Sequence, residues 1–175
     1  TVLVSAAHAG QRNVMAAAWA CALDFAPPKV TVVLDKATRT RELVEASGHF
    51  ALQLPTVPMA ALTEAIGTES AHTHPDKLQR HAVPLFDAPA LPDIAADNAP
   101  PLVQGCAAWL VCRVVPEPHN QQTYDLFIGE VVAAWADERV FRHGHWEFDS
   151  APDHLRTLHY VTGGQFYATE ASVKV

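Results

Sequence analysis

The sequence predicts a mainly β (α+β) protein, an antiparallel barrel or sheet with two or three helices inserted at its side. Three observations lead there. Short apolar runs rich in β-branched residues recur along the chain, each bounded by turn residues. The two longest, 105–115 and 124–136, are joined by a polar loop and read as a hairpin. Nothing alternates strand and helix in the βαβ manner, which excludes a doubly wound parallel sheet. At 175 residues the chain reads as one domain, 1–175, large enough to bury a real core. It opens on TVLVSA without a methionine, so a short N-terminal segment is expected to be missing.

TVLVSA (1–6) reads as a strand, and HAGQ after it as a loop in which Gly10 can take positive φ. The apolar run RNVMAAAWA (12–20) is ambiguous. Alanine is the best helix former, but a helix here would be apolar all round. The neighbouring strands favour a strand over 13–20. KVTVVLD (29–35) is a valine-rich strand. KATRTRELVEASG (36–48) reads as a helix with Thr38 or Thr40 as N-cap and Gly48 as its stop. HFALQLP (49–55) is a strand. TVPMAALTEAIG (56–67) is a second helix, capped by Thr56, with Pro58 in its first turn and Gly67 at its end. Residues 68–77 form a polar loop, and 84–101, with five prolines, an extended connection. The hairpin 105–136 follows. HWEF and then LHYVTGGQFYA (158–168) close the chain, with Gly163–Gly164 interrupting an aromatic strand. The sum is at least six strands.

The net charge is −7 with no long basic run, which argues against nucleic acid or an anionic membrane as partner. No apolar run is long enough to cross a bilayer. Three cysteines in apolar company (Cys21, Cys106, Cys112) read as buried free thiols in a reducing cytoplasm. Cys106 and Cys112 on one strand would stand about 20 Å apart, too far to bridge.

The densest cationic spot is Lys36, Arg39 and Arg41, interleaved with Thr38 and Thr40 at a helix start. It is either a solvated first turn with ordinary caps or an anion site. Cations at the positive end of a helix dipole favour the second reading, because a phosphate would resolve the conflict. Neither G-x-G-x-x-G nor G-x-x-x-x-G-K-[ST] occurs, so a nucleotide would be held by another route. The pairs His72-x-His74 and His143-x-His145 lack strand context and metal-ligand partners and read as surface histidines. No G-x-S-x-G elbow is present. Trp109, Phe127, Trp135 and Trp146 read as core or interface packing.

Several stretches together resemble the flavin reductase-like proteins with the FMN-binding split barrel. These include NAD(P)H:flavin oxidoreductases and the electron carriers called flavoredoxins. The stretches are QRNVMAAAWA (11–20), LDKATRTRELVEASGHFALQLPT (34–56), the IG…DK pattern over 66–77, LFIGEVV (126–132) and HYVTGGQFY (159–167). The resemblance spans essentially the whole chain and implies an antiparallel split β-barrel of Greek-key type. It implies that FMN lies against Asn13, Val14, Met15, Ala16, Ala17 and Trp19, where small side chains let a flat ring approach the backbone. Asn13 and Trp19, six apart, are expected on one side of a strand. It further implies a ribityl and phosphate site at Asp35, Lys36, Thr38, Thr40 and Arg41, a lysine near the cofactor at Lys77, and closure by Tyr160 and Phe166.

The activity so implied is an FMN-dependent NAD(P)H:flavin oxidoreductase, with hydride passing from the nicotinamide of NADH or NADPH to the flavin. No residue is marked as an obligatory acid or base. A homodimer with FMN near the subunit interface is implied as well. Two departures stand out. Relatives often carry His-Thr before LFIGEV where this chain has Tyr124-Asp125, and the loop Ser70–Lys77 is altered. Both leave FMN binding easier to carry over than reductase activity. The alternatives are a flavoredoxin-type electron carrier with tightly bound FMN, or a split-barrel binding module without redox chemistry.

Overall fold

The structure, a computed structural model, describes residues 1–173. The strands of its main sheet are β1 (Val2–His8), β2 (Gln11–Ala17), β3 (Ala20–Phe25), β4 (Pro28–Val33), β5 (His49–Leu54), β8 (Ala108–Val115) and β9 (Leu126–Ala136). Between β5 and β8 run the short pair β6 (Leu85–Phe86) and β7 (Leu102–Val103), and after β9 come two small hairpins. These are β10 (Phe141–Arg142) with β11 (His145–Trp146), and β12 (Leu158–Thr162) with β13 (Gln165–Ala168). The helices are α1 (Arg39–Ser47), α2 (Ala60–Thr68), α3 (Lys77–Arg80) and α4 (Pro118–Thr123). None is long and apolar enough to cross a membrane.

The seven-stranded sheet is antiparallel throughout, in the order β2-β1-β5-β8-β9-β4-β3. Its two outermost strands, β2 and β3, are consecutive in the chain and separated only by Ala18 and Trp19. Two residues bring Ala17 and Ala20 within about 11 Å of each other. A flat sheet of seven strands cannot meet that limit at strand spacings of about 4.8 Å, so it curls until its edges approach: a barrel left open along one seam. The carbonyl of Trp19 accepts from the Val33 amide at 3.0 Å, fastening the crossing to β4.

The strand expected over 13–20 is therefore two strands with a bend at Ala18–Trp19. Asn13 and Trp19 do not share a strand face: Asn13 is buried, and Trp19 is 74% exposed beyond the bend. A row of alanines carries no alternation that would have marked the break.

The barrel interior is filled by Val4 and Ala6 of β1, Val30 and Val32 of β4, Phe50 and Leu52 of β5, and Phe127 of β9, with Leu43 and Val44 of α1 plugging it. Gly129 in β9 permits this density, since a Cβ there would stand 2.8 Å from the Cys112 Cβ and run into the Phe50 ring. On the opposite face of β1 and β2, Leu3 and Val14 pack with Ile66 of α2 and with Met59 and Val103. The two helices thus lie on opposite faces of the β1–β2 edge.

The proline-rich stretch 84–101 is tied down by a buried polar chain. Ser5 Oγ donates to the Pro101 carbonyl at 2.5 Å, Gln53 Nε2 donates to Ser5 Oγ at 2.9 Å, and the Val103 amide donates to Gln53 Oε1 at 2.6 Å.

Other expectations need correction. Thr56 does not cap α2; its hydroxyl donates to the Gly105 carbonyl at 2.8 Å, and a 3-10 turn over Val57–Met59 leads into the helix. Gly67 lies inside α2, which continues to Thr68, because the position is held by close packing and not by a turn. The polar connection between β8 and β9 folds into α4. Cys21 is exposed because β3 is an edge strand with almost no cover, whereas Cys106 and Cys112 are buried. Cys106 precedes β8 instead of sharing it with Cys112, and burial pushes the Cys112 thiol up to about 12.

Candidate functional site

The site is built around β2, whose outer edge pairs with no other strand among the described residues. Alternate peptide groups along such an edge present unpaired N–H and C=O to a neighbour. The side chains alternate between the two helices that flank the strand. Asn13 points to α1, where its amide Nδ2 donates to Thr40 Oγ1 at 2.9 Å, both residues being buried. Met15 and Ala17 continue that face, while Val14 and Ala16 turn toward α2. Ala16 meets α2 at Gly67, where an added Cβ would stand 2.9 Å from its own Cβ.

Two adjoining pockets open along this edge and share Gly67 and Thr68. The first lies between β2, the start of α1 and the end of α2. It gathers Asn13, Met15, Thr38, Thr40 and Lys77, all named by the sequence, and also Arg39, Thr68 and Ser70. The second lies between Ala16–Ala17, α2 and the C-terminal hairpin, and is walled by Tyr160 and Phe166. Those two rings meet edge to face, centroids 5.3 Å apart. Four of the sequence-predicted residues line the second pocket, so nine of the fourteen line one pocket or the other.

Thr38 caps α1 as expected. Its Oγ1 accepts from the Arg41 amide at 3.4 Å, and Gly48 closes the helix at φ 72°. Asp35 shapes the turn before it, its carboxylate accepting from the Ala37 amide at 2.7 Å. The start of α1, from Ala37 to Thr40, lines the first pocket, and a helix start leaves amides without partners in the helix.

Arg41 lies elsewhere. Its guanidinium is 6% exposed and donates to Leu34 O at 3.0 Å, Gln121 O at 2.7 Å, Glu45 at 2.9 Å and Asp125 at 2.5 Å, over the Phe127 ring. Its hydrogen bond holds the Asp125 carboxyl below the usual range, although burial works in the other direction. Lys36 is mostly exposed and reaches Gln122 O at 2.5 Å and Asp125 at 3.6 Å. Of the three clustered cations, Arg39 is the one lining the pocket; its guanidinium contacts Glu42 and Gln11. Val14 is core, and Trp19, Asp35, Lys36 and Arg41 line neither pocket.

Lys77 is 2% exposed, and its ammonium donates to the Ile66 and Glu69 carbonyls, each at 3.0 Å. It caps the negative end of α2 from inside the first pocket. Burial lowers its pKa to about 8, against an opposing pull from Glu69. Glu69 is itself gripped by Arg80 and His81 and approached by His74 at 3.2 Å, which anchors the loop carrying Lys77.

The donor set suits a ligand that is flat, hydrogen-bonds along one edge and ends in an anion. Residues 1–166 match the profile described as "Flavin reductase like domain". The chain belongs to the flavin reductase-like family. A crystal structure of an FMN-binding domain of a flavin reductases-like enzyme from Shewanella baltica OS155 is 54% identical, with TM-score 0.93, and the match covers 100% of this chain and 88% of that one. The uncharacterized protein YddH of Escherichia coli K12 is 39% identical over 168 residues, covering 95% of this chain and 84% of its own. The flavoredoxin of Desulfovibrio vulgaris (Miyazaki F), at 23% identity and TM-score 0.77 over 99% of this chain and 88% of that one, shares the fold. The open-seamed barrel is thus the split barrel of flavin reductase-like proteins, a family that includes the FMN-binding domain from Shewanella baltica.

Sequence reasoning singled out the polar face of the flavin reductase-like site and missed the part contributed by α2. From sequence Gly67 reads as a helix stop and Thr68 as loop, whereas both belong to α2. The IG…DK pattern was the one signal pointing at that segment.

Proposed function

We propose that this protein is an FMN-binding flavoprotein acting as an NAD(P)H-dependent flavin oxidoreductase. The observation that carries the reading is the free edge of β2, bracketed by the start of α1 and the end of α2. When bound, FMN supplies hydride and electron transfer; the protein positions it and sets its surroundings. In this reading the peptide edge from Asn13 to Ala17 hydrogen-bonds the pyrimidine side of the ring, and Ala16 and Ala17 leave room for its plane. Thr38, Thr40, Arg39 and the first-turn amides of α1 hold the phosphate. Arg41, expected on the phosphate, instead buttresses the start of α1, pinning α1 to β9 through Asp125. Lys77 places positive charge beside the ligand, and Tyr160 and Phe166 shield the far end from water.

A homodimer completes the reading. It is supported by the apolar side chains left uncovered just past the β2 site, with Trp19 74%, Leu23 51% and Phe25 98% exposed. A second copy would bury them and cover the seam.

One observation favours the alternative, a flavoredoxin-type electron carrier without nicotinamide oxidation. Tyr124, where relatives often have histidine, is 60% exposed, stacks edge to face on His119 at 5.7 Å and lines neither pocket. Asp125 is committed to Arg41. Residues 124 and 125 therefore supply neither an imidazole nor an uncommitted carboxylate to a nicotinamide.

The test is the absorption spectrum of the purified protein after incubation with FMN. A bound flavin band supports both readings, and its absence removes both. Oxidation of NADH or NADPH by the loaded protein, with and without free FMN, then separates reductase from carrier.

A further inference from the structure

Thr63, in the middle of α2, is 1% exposed, and its hydroxyl is the one buried side-chain polar atom among the described residues without a hydrogen-bond partner. Such groups are rare in folded proteins, because a buried donor without a partner retains its full desolvation penalty. Threonine in a helix has a ready remedy, bonding back to a carbonyl one turn earlier. Thr68, in the last turn of the same helix, does this, donating to the Glu64 carbonyl at 2.9 Å. Thr63 does not.

The position of Thr63 gives the anomaly a direction. It lines the second pocket, between the Ala16–Ala17 floor and the Tyr160–Phe166 pair, with Gly67 one turn further along α2. The alanine floor, Gly67 and the two rings suit a planar ring, while Thr1, Glu64 and Thr68 add polar groups to the lining. Among them Thr63 carries the buried hydroxyl without a partner, and such a donor fixes the orientation of a ring carrying an acceptor on that side.

We infer that the Thr63 hydroxyl donates a hydrogen bond to a carbonyl on the planar ring ligand that enters between Ala16–Ala17 and Tyr160–Phe166. This rests on the flavoprotein reading, within which the carbonyl has two sources: the flavin ring itself, or the carboxamide of a nicotinamide lying beside it. Both present the same chemistry to Thr63. Thr63 is then an orienting residue that neither the sequence pattern nor the family comparison marks.

The test compares wild type with Thr63→Val, which keeps shape and removes the hydroxyl, and Thr63→Ser, which keeps the hydroxyl. The readouts are the thermal midpoint of ligand-free protein, FMN affinity by quenching of flavin fluorescence, and the midpoint shift given by a redox-inert tetrahydro analogue of NADH. Without ligand, Thr63→Val should melt at or above wild type, since it removes an unsatisfied group. If the flavin carbonyl is the acceptor, Thr63→Val weakens FMN by about 3- to 10-fold and Thr63→Ser does not. If the carboxamide is the acceptor, FMN is unaffected and the NADH-analogue shift shrinks instead. Unchanged binding of both ligands overturns the inference, as does a valine variant that melts well below wild type, which would mean the hydroxyl is already satisfied. Should valine prevent folding, Thr63→Ala carries the same comparison. A wild type that binds no FMN removes the flavoprotein reading, while the ligand-free midpoints and the analogue arm still judge Thr63.

Discussion

Gly67 and Ala16 meet so closely that a Cβ on the glycine would stand 2.9 Å from that of the alanine. The contact sets how near α2 lies to the edge strand, and with it the width of both pockets, which share Gly67.

Gly67→Ala should therefore push α2 outward. Helix propensity alone favours alanine by about 1 kcal/mol, yet overpacking of this kind costs about 1–3 kcal/mol. The expected result is a net loss of stability, read as a lower urea midpoint at unchanged m-value, together with weaker FMN binding. Ala16→Val should act in the same direction and more strongly, because it adds bulk on the facing strand.

The two arginines of the α1 cluster should separate cleanly. Arg39→Ala should weaken FMN severalfold and leave riboflavin, which lacks the phosphate, nearly unchanged. Arg41→Ala should lower the melting temperature by several degrees and weaken both ligands alike, since its guanidinium serves Glu45, Asp125 and two carbonyls. Titration of each variant with the two flavins distinguishes these outcomes.

Asp125 gives an acid signature. Its folded pKa is depressed, chiefly by the hydrogen bond from Arg41, so its contribution is complete above the unfolded carboxylate value and is lost as pH falls through the folded one. Asp125→Asn should flatten the loss of stability below about pH 4, measured by urea unfolding at stepped pH.

Lys77 has the same sign in an alkaline window. Its pKa is lowered from 10.5 to about 8, so above pH 8 the unfolded chain binds more protons than the folded one, and stability from this group rises with pH up to about 10.5. Its positive charge beside the pocket fades over the same rise. FMN affinity should fall as pH passes from 7 to 9 in wild type and stay flat in Lys77→Met, as followed by fluorescence titration.

The turn joining β1 to β2 can be improved. Ala9 and Gly10 both have positive φ, 49° and 77°, in a two-residue hairpin loop that favours Asn-Gly. Ala9→Asn should stabilise by about 0.5–1 kcal/mol, seen as a raised urea midpoint with ligand binding unchanged.

Local chemistry made much of this molecule legible in its sequence. Thr38 and Gly48 bounded α1 because a cap and a left-handed stop are properties of single residues. The valine-rich runs marked β4, β8 and β9 because alternation and β-branching are properties of a few neighbours. The family resemblance brought Asn13, Thr40 and Lys77 into one site that no spacing would have joined. What stayed hidden depends on distant partners. The pattern Lys36-x-x-Arg39-x-Arg41 does not say which cation is neutralised, because Asp125 lies 84 residues from Arg41. The bend at Ala18–Trp19 follows from the two sheet edges meeting. Thr63 looks like any helical threonine until its surroundings are known.

The two-residue crossing between β2 and β3 also orders events in time. The hairpins β1–β2, β3–β4 and β8–β9 can form from near neighbours, but β4 reaches β9 only by pairing residues 29–33 with residues 126–130. Such distant pairing is slow, since loop closure must precede its reward. Until it forms, the short link has no reason to draw β2 to the seam. A nascent chain released before β9 is made thus carries every residue of the first pocket and still lacks the closure that completes it. If the protein is the proposed flavoprotein, flavin should be captured only by chains whose barrel has already shut, and retention of a yellow colour should report completed folding.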